Sequence, residues 1–131
     1  MSAHFLQPCL ETPDATWSLR NLSTDTVVAA TLVRAFDRKT RNAGLLGQHE
    51  LPQDTALVLA PCSAVHTWFM RFAIDVLFLS RDGRVLAARR SLNPWRIAIR
   101  VGAFATVELS AGSSTSTEVG HLLGIAKRAE V

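Results

Sequence analysis

Apolar positions along the chain recur mainly with the two-residue period of strands, in short runs separated by Gly, Pro, Asn and Asp. Trp17, Leu19 and Leu22 outline a first strand, Ser23-Thr24-Asp25 a turn, and Thr26 to Val33 a second strand rich in β-branched residues. Together they predict a hairpin. Asp37 is placed to cap a short basic helix through Arg38, Lys39 and Arg41. Gly44 or Gly47 would end that helix, with Leu45 and Leu46 turned to the core and Pro52 closing the loop beyond. Ala56 to Ala60 is a compact apolar strand ended by Pro61. Val65 to Arg71 reads as the next strand, with Val65, Thr67 and Phe69 on one face and His66, Trp68 and Met70 on the other; Trp68 and Met70 are expected in the core.

Ile74 to Leu79 follows, and Ser80-Arg81-Asp82-Gly83 supplies an Asp-Gly turn into Arg84 to Ala88, the strongest hairpin signal in the sequence. Asn93-Pro94-Trp95-Arg96 interrupts the pattern before strands at Ile97 to Val101 and Phe104 to Leu109. Thr115-Ser116-Thr117-Glu118 has the form of a capping box ahead of Val119, Leu122 and Leu123, which predicts a short helix stopped by Gly124. Residues 1–15, with Pro8 and Pro13, read as an N-terminal arm anchored by Phe5 and Leu6, and residues 16–131 as a single β-rich domain. The β-α-β alternation that a parallel sheet needs is missing from this reading. The expected class is therefore mainly β, α+β at most: a small antiparallel β-barrel or sandwich with two short helices.

Composition narrows the picture. Apolar residues make up 48% of the chain and charged residues 19%, a globular balance. No run approaches the roughly 18 apolar residues of a membrane span. The opening residues lack a basic region followed by a long apolar run, so a cytoplasmic protein without a secretory signal is expected. Twelve of the fourteen basic residues are Arg, which favours bidentate recognition of carboxylate or phosphate. The net charge of +3 is modest and the arginines are dispersed, which makes nucleic acid an unlikely partner. Cys9 and Cys62 are distant and form no C-x-x-C pair, and His4, His49, His66 and His121 lack metal-binding spacing; no metal or cofactor is expected.

The run from Cys62 to Leu79, continuing to Asp82-Gly83, resembles the central signature of the bacterial and archaeal domain-of-unknown-function family 192 (DUF192). Arg41-Asn42-Ala43-Gly44-Leu45-Leu46-Gly47, Pro94-Trp95-Arg96 and Val107-Glu108-Leu109-Ser110-Ala111-Gly112 fit in order, so that the resemblance covers about residues 16 to 125. It implies a compact β-rich fold and carries no established activity, cofactor or substrate. Ala73 and Ser110 stand where the family commonly has proline, and Gln48 where a basic residue is frequent. Ala73 leaves the bend before Ile74 less rigid. Some members of the family are exported or lipid-anchored, and the sequence shows no such signal.

Three functional readings compete. The leading one is a non-enzymatic binding or accessory domain, with a groove near His66, Asp75, Trp95 and Arg96 for a small anionic ligand or a protein segment, and with Arg41 as a further contact. The second is a small hydrolase in which Cys62, His66 and Asp75 act as nucleophile, base and orienting carboxylate. The bland alternative makes Cys62 a small buried hydrophobe, His66 a hydrogen-bonded histidine, Asp75 an acceptor for turn or strand-end amides and Trp95 a loop plug. The third is weak nucleic-acid binding through Arg89, Arg90, Arg96 and Arg100, which requires those side chains to share a face. Asp75 is the oddest residue, lying in an apolar strand where an unpaired carboxylate costs several kcal/mol. Arg71, Arg96 or His66 is its expected partner. Glu108 poses the same question beside Val107 and Leu109, though strand alternation would let it face solvent.

Overall fold

The computed structural model of the chain describes residues 3–43 and 51–128. A short helix, α1 (Gln7–Glu11), precedes the hairpin of β1 (Trp17–Asn21) and β2 (Thr26–Ala29). The Asn21 side-chain carbonyl accepts hydrogen bonds from the backbone N–H groups of Ser23 and Thr24, which closes the turn. The predicted second strand breaks at Ala30, and the chain leaves this sheet to continue as β3 (Thr31–Ala35) in another. Asp37 then caps α2 (Arg38–Ala43), its carboxylate accepting from the Thr40 N–H at 2.8 Å. Gly44, Leu45, Leu46 and Gly47 lie outside the described residues.

The remaining strands are β4 (Thr55–Leu59), β5 (Ala64–His66), β6 (Ile74–Leu79), β7 (Val85–Leu92), β8 (Ile97–Ile99), β9 (Ala105–Ser110) and β10 (Leu123–Lys127). They form three layers. The central sheet has the order β3-β4-β9-β6-β7; one outer layer is β10-β1-β2 and the other is the β5-β8 ribbon. Leu19, Ala29 and Leu123 of the three-stranded sheet pack on Leu77, Leu79, Val107 and Leu109 to make one core. Val65 and Ala98 of the ribbon pack with Leu57, Val76 and Phe78 on the opposite face to make the second. With both faces covered, all six residues of β6 are buried. The architecture is thus a layered sandwich and not a closed barrel.

Three expectations are corrected. β3 and β4 pair in parallel across α2, from Thr31↔Thr55 to Ala35↔Leu59, so one short β-α-β unit exists and the sheet is mixed. The helix expected after Thr115 is absent. Leu123 and Gly124 pair instead with Asn21 and Arg20, and the Leu123 N–H bonds the Gly83 carbonyl at 2.8 Å. Those sheet contacts outweigh the local capping signal. The second helix lies in the arm, where Leu6 and Cys9 are buried in the first core. At the Asp82-Gly83 turn the glycine is required twice over: its φ is +95°, and a Cβ there would stand 2.2 Å from the Leu123 carbonyl oxygen.

Candidate functional site

The strand expected from Val65 to Arg71 ends at His66, because Thr67 is diverted into a clasp with the 93–96 loop. The Thr67 N–H donates to the Arg96 carbonyl at 2.8 Å, and its carbonyl accepts from the Trp95 N–H at 2.9 Å. Its hydroxyl donates to the Asn93 carbonyl at 2.6 Å and accepts from the Arg96 N–H at 2.9 Å. Thr67 is fully buried, and the chain on either side of the clasp is turned outward. Phe69 and Trp95 take positive φ values of 65° and 66°, a conformation costing bulky L-residues about 1–2 kcal/mol. Their rings meet at 4.7 Å, while the His66 ring rests 5.0 Å from that of Trp68.

Only Met70 of the two expected core residues is buried; Trp68 is 43% exposed. Phe69, Trp95, Ile97 and Ile99 are more than half exposed, so one face of the ribbon is an apolar surface with strained backbone at two corners. Ribbon register places His66 opposite Ile97 and Ala64 opposite Ile99 on this outer face, with Val65 and Ala98 inward. Hydrogen bonds join Thr67 to Arg96 and Arg100 to Ser63, which makes the intervening Ile97 and Ile99 non-hydrogen-bonded positions toward β5. Their backbone N–H and C=O groups therefore point to the free edge of β8, where no strand pairs among the described residues. Arg96 and Arg100, both exposed, flank that edge.

His66, Trp95 and Arg96 thus share a region, whereas Asp75 and Arg41 lie elsewhere. Asp75 alternates with Leu77 and Leu79 on the first-core face of the central sheet, and the ribbon covers the other face. Its partners are not arginine or histidine. One carboxylate oxygen accepts the Ser91 N–H at 2.9 Å; the other accepts the N–H groups of Gly112 and Ser114 and the Ser114 hydroxyl at 2.6 Å. Burial pushes this carboxyl up, but the Ser114 hydroxyl and the three N–H donors outweigh it and hold the group below its ordinary value. Arg41 donates to the Phe36 carbonyl at 2.7 Å and the Ala60 carbonyl at 3.3 Å, tying α2 to the ends of β3 and β4.

The Cys62 thiol donates to the Ala64 carbonyl, and the central sheet separates Asp75 from the ribbon, so the three proposed hydrolase residues are not assembled. The four arginines considered for nucleic acid do not form a stripe. Arg89 and Arg90 take opposite faces of β7, and Arg90 is bound to the Ser114 and Thr117 carbonyls with Glu118 at 3.8 Å. Among the described residues no group of three or more His, Cys, Asp or Glu side chains converges, and no helix is long and apolar enough to cross a membrane.

Glu108, which alternation alone would allow to face solvent, is 4% exposed. It stands on β9 between Leu57 of β4 and Val76 of β6, on the second-core face, and its Oε2 has no hydrogen-bond partner. Burial pushes its carboxyl from 4.5 to about 7. Alternation along β9 could not reveal this, because the ribbon that covers Glu108's face comes from distant sequence.

Layering and clasp define a small mixed-β domain that displays an aromatic ribbon and has buried acids in its central sheet. The chain belongs to the domain-of-unknown-function family 192, described as uncharacterized ACR, whose sequence profile matches residues 20–123. No curated protein matches it. It is similar in fold to a protein of unknown function from Novosphingobium aromaticivorans, at 15% identity, TM-score 0.71 and 82% coverage of each chain. It is likewise similar to a Sinorhizobium meliloti protein designated "putative transcription regulator", at 17% identity, TM-score 0.71, and coverage of 86% of this chain and 92% of the other. At these identities the likeness is one of fold.

Proposed function

We propose that this chain is a non-enzymatic binding domain that docks an extended, acidic protein segment along β8. The observation that carries this reading is the exposed face of Trp68, Phe69, Trp95, Ile97 and Ile99 beside a strand edge that no strand pairs with among the described residues. An added strand would satisfy the outward backbone groups of Ile97 and Ile99, its apolar side chains would cover the aromatic rings, and Arg96 and Arg100 would meet its carboxylates. A polypeptide suits this open surface better than a small anion, which needs an enclosing pocket. Asp75 and Arg41 take no part, because their hydrogen bonds are spent within the fold.

The test is titration with synthetic extended peptides that alternate apolar residues with Asp or Glu, followed by tryptophan fluorescence. Ile99→Pro removes an outward N–H while leaving the β5 pairing intact, and Arg96→Glu reverses a flanking charge. Each is expected to weaken the acidic peptide about tenfold or more. Equal binding of lysine-substituted peptides, or no effect of either variant, would overturn the reading.

A further inference from the structure

Away from the ribbon, a cavity of about 780 Å³ opens between the N-terminal arm and the rim of the central sheet. One wall is α1 and the residues before it; the other is built from the end of β3, the Ala60-Pro61 segment and Phe104. Leu6 is buried in the first core, whereas Leu10 is 48% exposed beside the opening. Leu10, Phe36, Pro61 and Phe104 make most of the interior apolar. The arm is tied down on both flanks: the Phe5 N–H bonds the Arg81 carbonyl at 2.8 Å, and the Arg34 guanidinium donates to the carbonyls of Cys9 and Pro13. The volume falls in the range of ligand pockets, about 300–1,000 Å³.

Among the described residues three polar side chains line the cavity, and they differ in what they can offer a ligand. Arg81 is committed to the fold: its guanidinium carbon lies 4.6 Å from the Phe104 ring centroid, and the residue is engaged in a further contact within the chain. The His4 ring rests 4.8 Å from the same Phe104 ring. Its Nδ1 accepts the Leu6 N–H at 3.2 Å, which leaves the proton of the neutral imidazole on Nε2 as a donor. Burial and the neighbouring Arg81 charge both lower the His4 pKa, favouring this neutral form. Gln7 follows three residues on, in the first turn of α1, and its carboxamide has no hydrogen-bond partner among the described residues. It offers one acceptor oxygen and two donor hydrogens.

The charges around the cavity select against ions of either sign. A cation would meet Arg81 with no Asp or Glu among the described lining residues to offset it. An anion would have to share a guanidinium already engaged in the fold, and without a dedicated cation its desolvation is costly. What remains available is neutral: the imidazole donor of His4 and the donor and acceptor of Gln7. We propose that this cavity binds an uncharged, largely apolar molecule with a carboxamide head, its carbonyl accepting from His4, its N–H donating to Gln7 and its body against Leu10, Phe36 and Pro61. An ester lacks the N–H, and a hydroxyl would have to make both bonds from one oxygen. The site is independent of the β8 edge.

Calorimetry on the full chain with 2-naphthamide, methyl 2-naphthoate and 2-naphthoate tests this, because the three share one apolar body and differ in the head. The amide should bind with a stoichiometry of one. The ester, which keeps the acceptor and lacks the donor, should bind about threefold to tenfold more weakly, and the ionised acid no better than the ester. Gln7→Leu should erase the difference between amide and ester. His4→Phe, which keeps a ring beside Phe104, should weaken amide and ester alike. Leu10→Glu, at the opening, should weaken both as well, and Ile99→Pro should leave them unchanged. Tighter binding of the acid than of the amide, an amide–ester difference that survives Gln7→Leu, loss of amide binding in Ile99→Pro, insensitivity to Leu10→Glu, or no saturable binding of the amide would overturn the assignment.

Discussion

Asp75 and Glu108 stand on adjacent strands of the central sheet, one register step apart, and face opposite cores. Both are buried, 0% and 4% exposed respectively. Asp75 is near the end of its strand, where the β7 backbone at Ser91 and the turn at residues 112–114 converge on it with three N–H groups and a hydroxyl. Glu108 is flanked by Leu57 and Val76 in mid-sheet, where the neighbouring backbone donors are already spent on the ladder, and its Oε2 has none. The same chemical group is therefore held below its ordinary pKa at one site and pushed up to about 7 at the other. Burial acts in the same direction on both, and the supply of donors decides the outcome.

The largest test of this contrast is removal of the donor-rich carboxylate. Asp75→Ala leaves three backbone N–H groups and the Ser114 hydroxyl without their acceptor, and is expected to cost about 3–5 kcal/mol of stability. Chemical denaturation reads this as a lowered midpoint. Glu108→Gln removes a carboxylate that has no such donors, and should be neutral or stabilising at pH 8. A comparable loss from the two variants at that pH would break the comparison.

The pH dependence comes next. Between 4.5, the ordinary value for Glu108, and about 7, its value in the fold, the folded state retains a proton that the unfolded chain has lost. Because the native state binds more protons there, stability falls as pH rises through that window, by about 3 kcal/mol in all. The slope of Asp75 is opposite: its carboxyl is lowered in the fold, so its contribution is present above the unfolded value and lost as pH falls through the folded one. Unfolding free energy measured against pH should climb in acid and decline toward neutrality. Glu108→Gln should remove the decline alone, and a decline that persists in this variant would assign it to another group.

Neither acid's particular neighbours were legible in the sequence, though much around them was. The β6-β7 hairpin follows from the apolar run ending in Asp82-Gly83, the first hairpin from its turn residues, and the α2 start from Asp37, all short-range signals. Asp75 is visibly anomalous, and turn or strand-end amides are among its readable partners beside nearby cations, but which amides they are is not readable, because its donors lie 16 and 37–39 residues away. Glu108 poses the same question, and alternation leaves it open, since a period of two reports which face a residue takes and not whether that face is covered. At the ribbon, Val65 to Arg71 has a strand's composition, yet the hydrogen bonds of Thr67 to the 93–96 loop override it. His66, Trp95 and Arg96 were recognisable by residue type, whereas the free β8 edge depends on pairing register that one sequence does not encode locally.

The smallest test divides Asp75's stabilisation between hydroxyl and backbone. Ser114 is fully buried, and its hydroxyl makes the 2.6 Å bond to the carboxylate. Ser114→Ala deletes that donor with little change in volume and leaves the N–H groups of Ser91, Gly112 and Ser114 in place. A hydrogen bond to a charged group is worth about 1.5–3 kcal/mol, so the loss should be about 2 kcal/mol at neutral pH. It should shrink in acid, where Asp75 is protonated and the charge that strengthens the bond is gone. NMR titration of the carboxyl should show its pKa moving up from its value in the unsubstituted protein, because the hydroxyl is the largest of the contributions that lower it. A loss equal at every pH would mean that Ser114 acts through packing, and the difference between the two acids would then rest on the backbone N–H groups alone.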